Sequence, residues 1–294
     1  MLEVLCLTLK IAKRVFTLRG TGLCRRRRHD GKCEKLVPPI RGDGMEIKMN
    51  TKIVYEDRDV LVIQKPAGLA TQTSRVDRQD VVSELKKYLA VEASDRRPAG
   101  EPYLGIIHRL DQPVEGLLVF AKNKKAAASL TAQLSSENQS GAGTLNKSYY
   151  SVFSGKMPEK SGELVDGLYR DPSGKAVIWE QGQVKKPPQV KRAVLRYHIL
   201  QEEKVQDFIL SLAEIHIDTG RYHQIRAQMA HAGMCLLGDS KYGDAASKEI
   251  SEKLDIRNVA LCAFNLEFRH PVTKEKMSFQ IKPQGVAFSF FSLK

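Results

Sequence analysis

Three short runs of this chain carry side chains that could do chemistry. His108-Arg109-Leu110-Asp111 sets a carboxylate beside an Arg, just ahead of the apolar stretch Leu117-Leu118-Val119-Phe120. A carboxylate at the mouth of a buried strand can act as a base or a nucleophile; it can equally satisfy a turn or pair with the Arg. Lys147-Ser148-Tyr149-Tyr150 opens a strand, so its two tyrosines point to opposite faces, and one can enter the core while the other lines a cleft. Thr219-Gly220-Arg221-Tyr222-His223-Gln224-Ile225-Arg226 crowds cationic and titratable groups into the first turns of an expected helix. Helix N-termini already favour anions, so cations there answer a fixed negative charge, either a phosphate or a buried carboxylate. A surface basic turn is the plain alternative.

The elements that must position these groups read from periodicity and breakers. Lys52-Ile53-Val54-Tyr55 and Val60-Leu61-Val62-Ile63 flank a polar turn and end at Lys65-Pro66-Ala67-Gly68. Asp80 is placed to cap a helix whose Val81, Val82, Leu85, Tyr88 and Leu89 share a face, and Asn123 to cap another running through Gln133. Residues 92–104 and 135–146 read as polar loops. Strands are expected at Tyr149–Phe153, Lys175–Trp179, Ala193–Leu200 and Phe208–Ile217. A helix is expected from Arg221 to about Ala232, closed by Gly233. Leu261–Phe268 and Lys276–Ile281 flank a hairpin signal at Pro271-Val272-Thr273-Lys274. Strands outnumber helices without βαβ alternation, which indicates an α+β fold with a largely antiparallel or mixed sheet.

Composition narrows the partner. Lys and Arg number 47 against 34 Asp and Glu, a net charge of +13 that favours an anionic partner, nucleic acid before an acidic membrane surface. Five cysteines without a CxxC pair or zinc spacing indicate free thiols in a reducing, cytoplasmic setting, with no metal. No apolar run approaches a membrane span. Residues 1–44 differ from the rest, with eleven Lys and Arg against four Asp and Glu and four consecutive arginines at Arg25–Arg28. They read as a basic extension, disordered or outside the native fold, with an RNA-holding arm and an organellar transit segment as the other readings. The organised domain is expected over 45–294, and a chain starting at Met45 should keep its stability and activity.

Taken together, the motifs resemble those of the RluA-type pseudouridine synthases. His108-Arg109-Leu110-Asp111 followed by Gly116-Leu117-Leu118-Val119-Phe120-Ala121-Lys122 resembles the family signature. Lys147-x-Tyr149 resembles its second motif. Thr219-Gly220-Arg221-x-His223-Gln224-Ile225-Arg226, with His231-x-Gly233 and Leu237-Gly238-Asp239-x-x-Tyr242-Gly243, resembles its third. Lys65-Pro66-Ala67-Gly68 and His270-Pro271-Val272-Thr273 also fit, and the likeness is collinear over about residues 50–283. The chain departs from the usual form at Gln112, Pro113, Val114 and Glu115, and no S4-type RNA-binding domain is evident.

The resemblance implies a pseudouridine synthase fold and isomerisation of a uridine in structured RNA, ribosomal large-subunit RNA first and transfer RNA second. It implies no cofactor, and nothing demands more than a monomer. Asp111 matches the catalytic Asp, as nucleophile at C1′ or as base at C2′. Arg226 matches its basic partner, and Tyr149 the active-site Tyr that packs on the uracil. Arg109 matches the residue that fills the space of the flipped base. His223 and Gln224 are expected to line the RNA side. Two other readings stand beside this one: an RNA-binding module of the same fold without catalysis, and a hydrolase that releases free uracil.

Overall fold

The computed structural model describes residues 49–293 apart from 76, 95–99, 135–144, 158 and 181–188, together with the backbone of a two-strand pair, β1 (Arg26–Arg27) and β2 (Cys33–Glu34). Apart from that strand pair, the expectations for residues 1–44, and most of the 135–146 loop, lie outside the described residues.

The expected first hairpin forms from β3 (Lys52–Glu56) and β4 (Val60–Lys65), joined through Asp57, whose Oδ1 accepts the Asp59 and Val60 amides at 2.8 Å each. Helix α1 (Val81–Ser94) follows, with Asp80 accepting the Ser83 amide at 2.7 Å as its N-cap, and Val81, Leu85 and Leu89 buried. The short β5 (Gly105–Ile106) leads through the His108–Asp111 run to β6 (Glu115–Ala121), which is buried along its whole length. Asn123 caps α2 (Lys124–Leu134) by accepting the Ala126 amide at 2.9 Å. Then come β7 (Asn146–Ser154), β8 (Ser161–Arg170), β9 (Ala176–Trp179), β10 (Lys191–Val205) and β11 (Phe208–Ile217). Helices α3 (Gln224–His231) and α4 (Ala245–Lys253) precede the last hairpin, β12 (Leu261–Arg269) with β13 (Lys276–Gln280), and a 3-10 turn at Val286–Phe290.

The strands join in one mixed sheet, in the order β3-β4-β6-β12-β7-β11-β10-β8-β9, with β5 on β6 and β13 on β12. Every pairing is antiparallel except β6 with β12, where Glu115 and Gly116 face Cys262 and Ala263. That junction has no room for a side chain: a Cβ on Gly116, at φ +136°, would sit 2.5 Å from the Ala263 amide nitrogen.

The structure differs most from the sequence expectations at three elements. Strand β8, with Gly162 and Gly167 inside it, has no counterpart among them. Both glycines are covered by rings or branched chains of neighbours: a Cβ would meet Tyr197 at 2.7 Å and Val190 at 2.8 Å. The strand is thus built from packing that a local pattern does not record. Helix α4 was likewise not anticipated, although Asp244 caps it by accepting the Ser247 amide at 2.7 Å. Helix α3 begins at Gln224, not Arg221. The Gln224 side chain folds back to accept the Arg221 amide at 2.9 Å and the Thr219 hydroxyl at 2.8 Å, which holds residues 219–223 as a turn with His223 left-handed at φ 51°.

Four apolar clusters make up the core among the described residues. The largest joins Leu110 and Val114, either side of Asp111, to Tyr149, to Ile225 and Met229 of α3, and to Val81 and Leu85 of α1. It fixes the distance between the β5–β6 loop and α3, and so between Asp111 and Arg226. No helix among the described residues is long and apolar enough to cross a membrane.

Candidate active site

Asp111 lies in the loop feeding β6, and that loop is held from below by Lys65. The Lys65 side chain is fully buried, and its ammonium donates to the Leu69, Pro66 and Gln112 carbonyls at 2.6, 2.9 and 3.1 Å. Burial pulls the Lys65 amine down to about 7, against the opposing pull of the Asp111 and Glu115 carboxylates. Thr71 bonds Leu110 through both its hydroxyl (2.9 Å) and the Leu110 amide (3.2 Å), and the Gln112 amide group donates to the Gly68 carbonyl at 3.0 Å. The Lys65-Pro66-Ala67-Gly68 run is therefore the floor of the Asp111 loop.

The unusual residues after Asp111 are absorbed into this frame. Val114 is buried, and the buried Glu115 carboxylate accepts the Gln284 and Gly285 amides, at 3.0 and 2.9 Å. Burial raises the Glu115 carboxyl, while these amides and Lys65 oppose the rise.

Across from Asp111 stands Arg226, buried in the first turn of α3. Its Nη1 donates to Asp111 Oδ2 at 3.1 Å. Its other edge makes a two-pronged pair with Asp239, Nε to Oδ2 at 2.7 Å and Nη2 to Oδ1 at 2.8 Å. Asp239 is itself buried, and its Oδ1 also accepts the Lys241 and Tyr242 amides at 3.0 Å each. Burial works against the charge on both partners, but their mutual bonds outweigh it: the Arg226 guanidinium is held above its usual range and the Asp239 carboxyl below. Asp239 can approach because Gly238 turns with φ +70°, where a Cβ would lie 2.0 Å from the Asn258 carbonyl oxygen. The cations at the start of α3 thus answer two carboxylates, one buried and one at the site.

His223 completes the ring around Asp111. Its Nδ1 lies 2.9 Å from the Tyr242 hydroxyl, and that oxygen accepts the Ala176 amide at 2.8 Å. Nε2, the other ring nitrogen, lies 3.4 Å from Asp111 Oδ2. Burial lowers the imidazole to about 4, with Asp111 opposing and Arg226 adding to the fall. Both Arg226 and His223 address Oδ2. Among the described residues Oδ1 receives no hydrogen bond, and the Asp111 side chain is 26% exposed.

A pH dependence follows from His223. Its folded value is lowered, so between pH 6.5 and about 4 the unfolded chain takes up a proton that the folded chain refuses. Stability therefore falls as pH drops through that window. Urea unfolding at pH 7 and pH 4.5 should show wild type losing more stability than His223→Gln over this step; equal losses would reject the assignment.

Tyr149, on β7, is buried within the same apolar cluster. Burial first, then the negative charge of Asp111, push its phenol well above the usual range. Tyr150, on the opposite face, stacks on Phe264 with ring centroids 3.6 Å apart. Arg109 is exposed beside Asp111. Gln224 does not face outward: it is buried, with its amide nitrogen on the Val194 carbonyl at 3.0 Å and its oxygen on the 219–221 turn. Its bonds are spent inside the fold. Sequence reasoning quoted Asp239, Tyr242 and Lys65 within motifs but gave them no role. Their task is to hold Arg226, His223 and the Asp111 loop.

The chain's sequence matches a known family. Residues 59–231 fit the model of the RNA pseudouridylate synthases. The chain belongs to that family. It is 33% identical to the uncharacterized RNA pseudouridine synthase YlyB of Bacillus subtilis (strain 168) over 79% of this chain and 69% of that protein. It is 30% identical to the ribosomal large subunit pseudouridine synthase D of Zymomonas mobilis over 87% of this chain and 76% of that protein. Among solved structures, human RNA pseudouridylate synthase domain containing 4 shares the fold, with TM-score 0.60, 22% identity, and coverage of 81% of this chain and 92% of that one. The relatives bear out the RluA-type resemblance, and the chain is an RNA pseudouridine synthase, an isomerase acting on RNA.

Proposed function

We propose that this synthase modifies a uridine of large-subunit ribosomal RNA, with Asp111 as the group that acts at the sugar. The observation that carries the assignment of Asp111 is its asymmetry: Oδ2 is engaged by Arg226 and faced by His223, while Oδ1 is open. An ion pair at one oxygen orients the carboxylate without occupying the oxygen that reacts. The choice of RNA rests on relatives named for the large ribosomal subunit; transfer RNA is the second candidate.

In this reading the target base leaves its stack and enters the space above Asp111. The C1′–N1 bond breaks as Asp111 either bonds to C1′ or removes the C2′ proton. The uracil turns, and C5 bonds to C1′ as the Asp111–C1′ bond breaks or, on the other route, as Asp111 returns the proton to C2′; the C5 proton is then lost while N1 gains one. Nucleophilic use of a carboxylate at an anomeric carbon is the glycosidase precedent. Tyr149 packs against the uracil from within the core. Its raised phenol keeps its proton at neutral pH, so it supplies a surface and a donor. Exposed Arg109 reaches into the gap left by the base. The chain acts as a monomer in the cytoplasm, consistent with the free thiols Cys235 and Cys262.

The test is pseudouridine mapping of total RNA from cells with and without this protein. A large-subunit site that disappears on deletion and returns only with the wild-type chain establishes the target. A lost transfer-RNA site redirects it, and an unchanged map with protein and RNA both present overturns the reading.

A further inference from the structure

The turn between β11 and α3 holds a ring whose placement the reaction does not use. Tyr222 is 43% exposed, one of few large rings left open to solvent among the described residues. It is nevertheless fixed. Its inner face stacks on the His223 imidazole, with centroids 3.8 Å apart and planes 19° from parallel. Its hydroxyl donates to the Gly174 carbonyl at 3.2 Å. The Arg170 guanidinium, at the exposed end of β8, lies over the ring with Cζ 4.7 Å from the centroid. Because His223 Nε2 is 3.4 Å from Asp111 Oδ2, this open ring stands one imidazole away from the catalytic carboxylate.

The surroundings are basic. Lys241 donates to the same Gly174 carbonyl at 2.7 Å, Lys175 lies over the Tyr242 ring at 5.1 Å, and Arg221 bonds the Arg192 carbonyl at 3.2 Å. The nearby Asp171 is taken up by its own turn, accepting the Lys175 amide and the Ser173 hydroxyl at 2.7 Å each.

We propose that Tyr222 and Arg170 form a stacking platform for a nucleobase next to the target uridine. This rests on the proposed reaction at Asp111 and adds a binding subsite to it. Flipping one base unstacks its neighbours, and a rigid ring beside the site supplies a replacement stacking partner. Tyr222 gives that surface at little entropic cost because His223 and Gly174 already hold it. The base takes the outer face of the ring, and the flexible Arg170 either caps the base or moves to a backbone phosphate. Stacking on a ring tolerates any base, so the platform contributes affinity and orientation, not sequence choice.

The competing role is that Tyr222 only braces His223. Two fluorescein-labelled probes separate them: a 12-nucleotide uridine RNA, and a strand of equal length and charge in which the bases are removed. Wild type should bind the uridine strand more tightly. Tyr222→Ala should weaken that binding by about 5- to 100-fold and leave the abasic strand almost unchanged, whereas Tyr222→Trp and Tyr222→Phe keep the preference. An intact preference in Tyr222→Ala overturns the proposal. So does an equal loss on both strands, which would mean a phosphate contact or a disturbed fold. Tritium release from [5-³H]uridine-labelled ribosomal RNA gives the second readout. A fall in kcat with unchanged affinity would make Tyr222 a brace and also overturn the platform. Absence of release by wild type would count against the assigned substrate, and the binding comparison would still decide the platform.

Discussion

Asp111→Asn should reduce pseudouridine formation to background, at least about 10³-fold or about 4 kcal/mol of barrier, while RNA affinity stays within about threefold. The substitution removes the charge and the nucleophile but keeps the shape, and an amide oxygen can still accept from Arg226 Nη1. Arg226 keeps its two bonds to Asp239, so no buried charge is orphaned. Thermal stability should therefore hold or rise slightly, as it does where a site gives up stability for reactivity. Tritium release and filter binding on the same preparation check both halves. Asp239, the other carboxylate on Arg226, is only 2% exposed and fully bonded, so it cannot replace Asp111 at the sugar. Retained activity in Asp111→Asn would remove the carboxylate mechanism. Lost binding together with activity would place Asp111 in recognition. Free uracil in the wild-type reaction would point to the hydrolase reading.

The second large effect is on the fold. Arg226→Met should destabilise the protein by about 3–5 kcal/mol, because it leaves the Asp239 carboxylate buried without its countercharge. For a chain of this size that is roughly a 6–20 °C fall in melting temperature. Activity should also disappear, since Asp111 loses its partner 3.1 Å away. Combining Arg226→Met with Asp239→Leu should recover much of the stability and none of the activity. The reason is that an apolar pair of similar volume often replaces a buried ion pair at no net cost. Calorimetry on the two single variants and the double variant measures the coupling. A double variant as unstable as Arg226→Met would show that Asp239 matters for its amide bonds to Lys241 and Tyr242 and not for the ion pair.

The sequence by itself determined the pieces whose physics is local. Asp80 and Asn123 could be read as caps because a side chain three residues ahead of an amide satisfies it wherever the helix goes. The apolar residues of β11 and the apolar run of β6 marked strands because both elements are buried over several consecutive residues. The collinear motifs named the family, and with it Asp111, Tyr149 and Arg226 as residues to bring together. What joins them was decided by the tertiary structure. Arg226 reaches Asp111 across 115 positions, and Lys65 reaches the Gln112 carbonyl across 47, through contacts that leave no periodic trace. Gln224 carries a polar amide that suits an RNA surface, yet the turn at Thr219 and Arg221 draws it inward. His223 likewise sits on Asp111 only because that turn makes it left-handed and Tyr242, from beyond α3, fixes its ring. A side chain's type sets which bonds it can make; only the packed chain sets which partners arrive to make them.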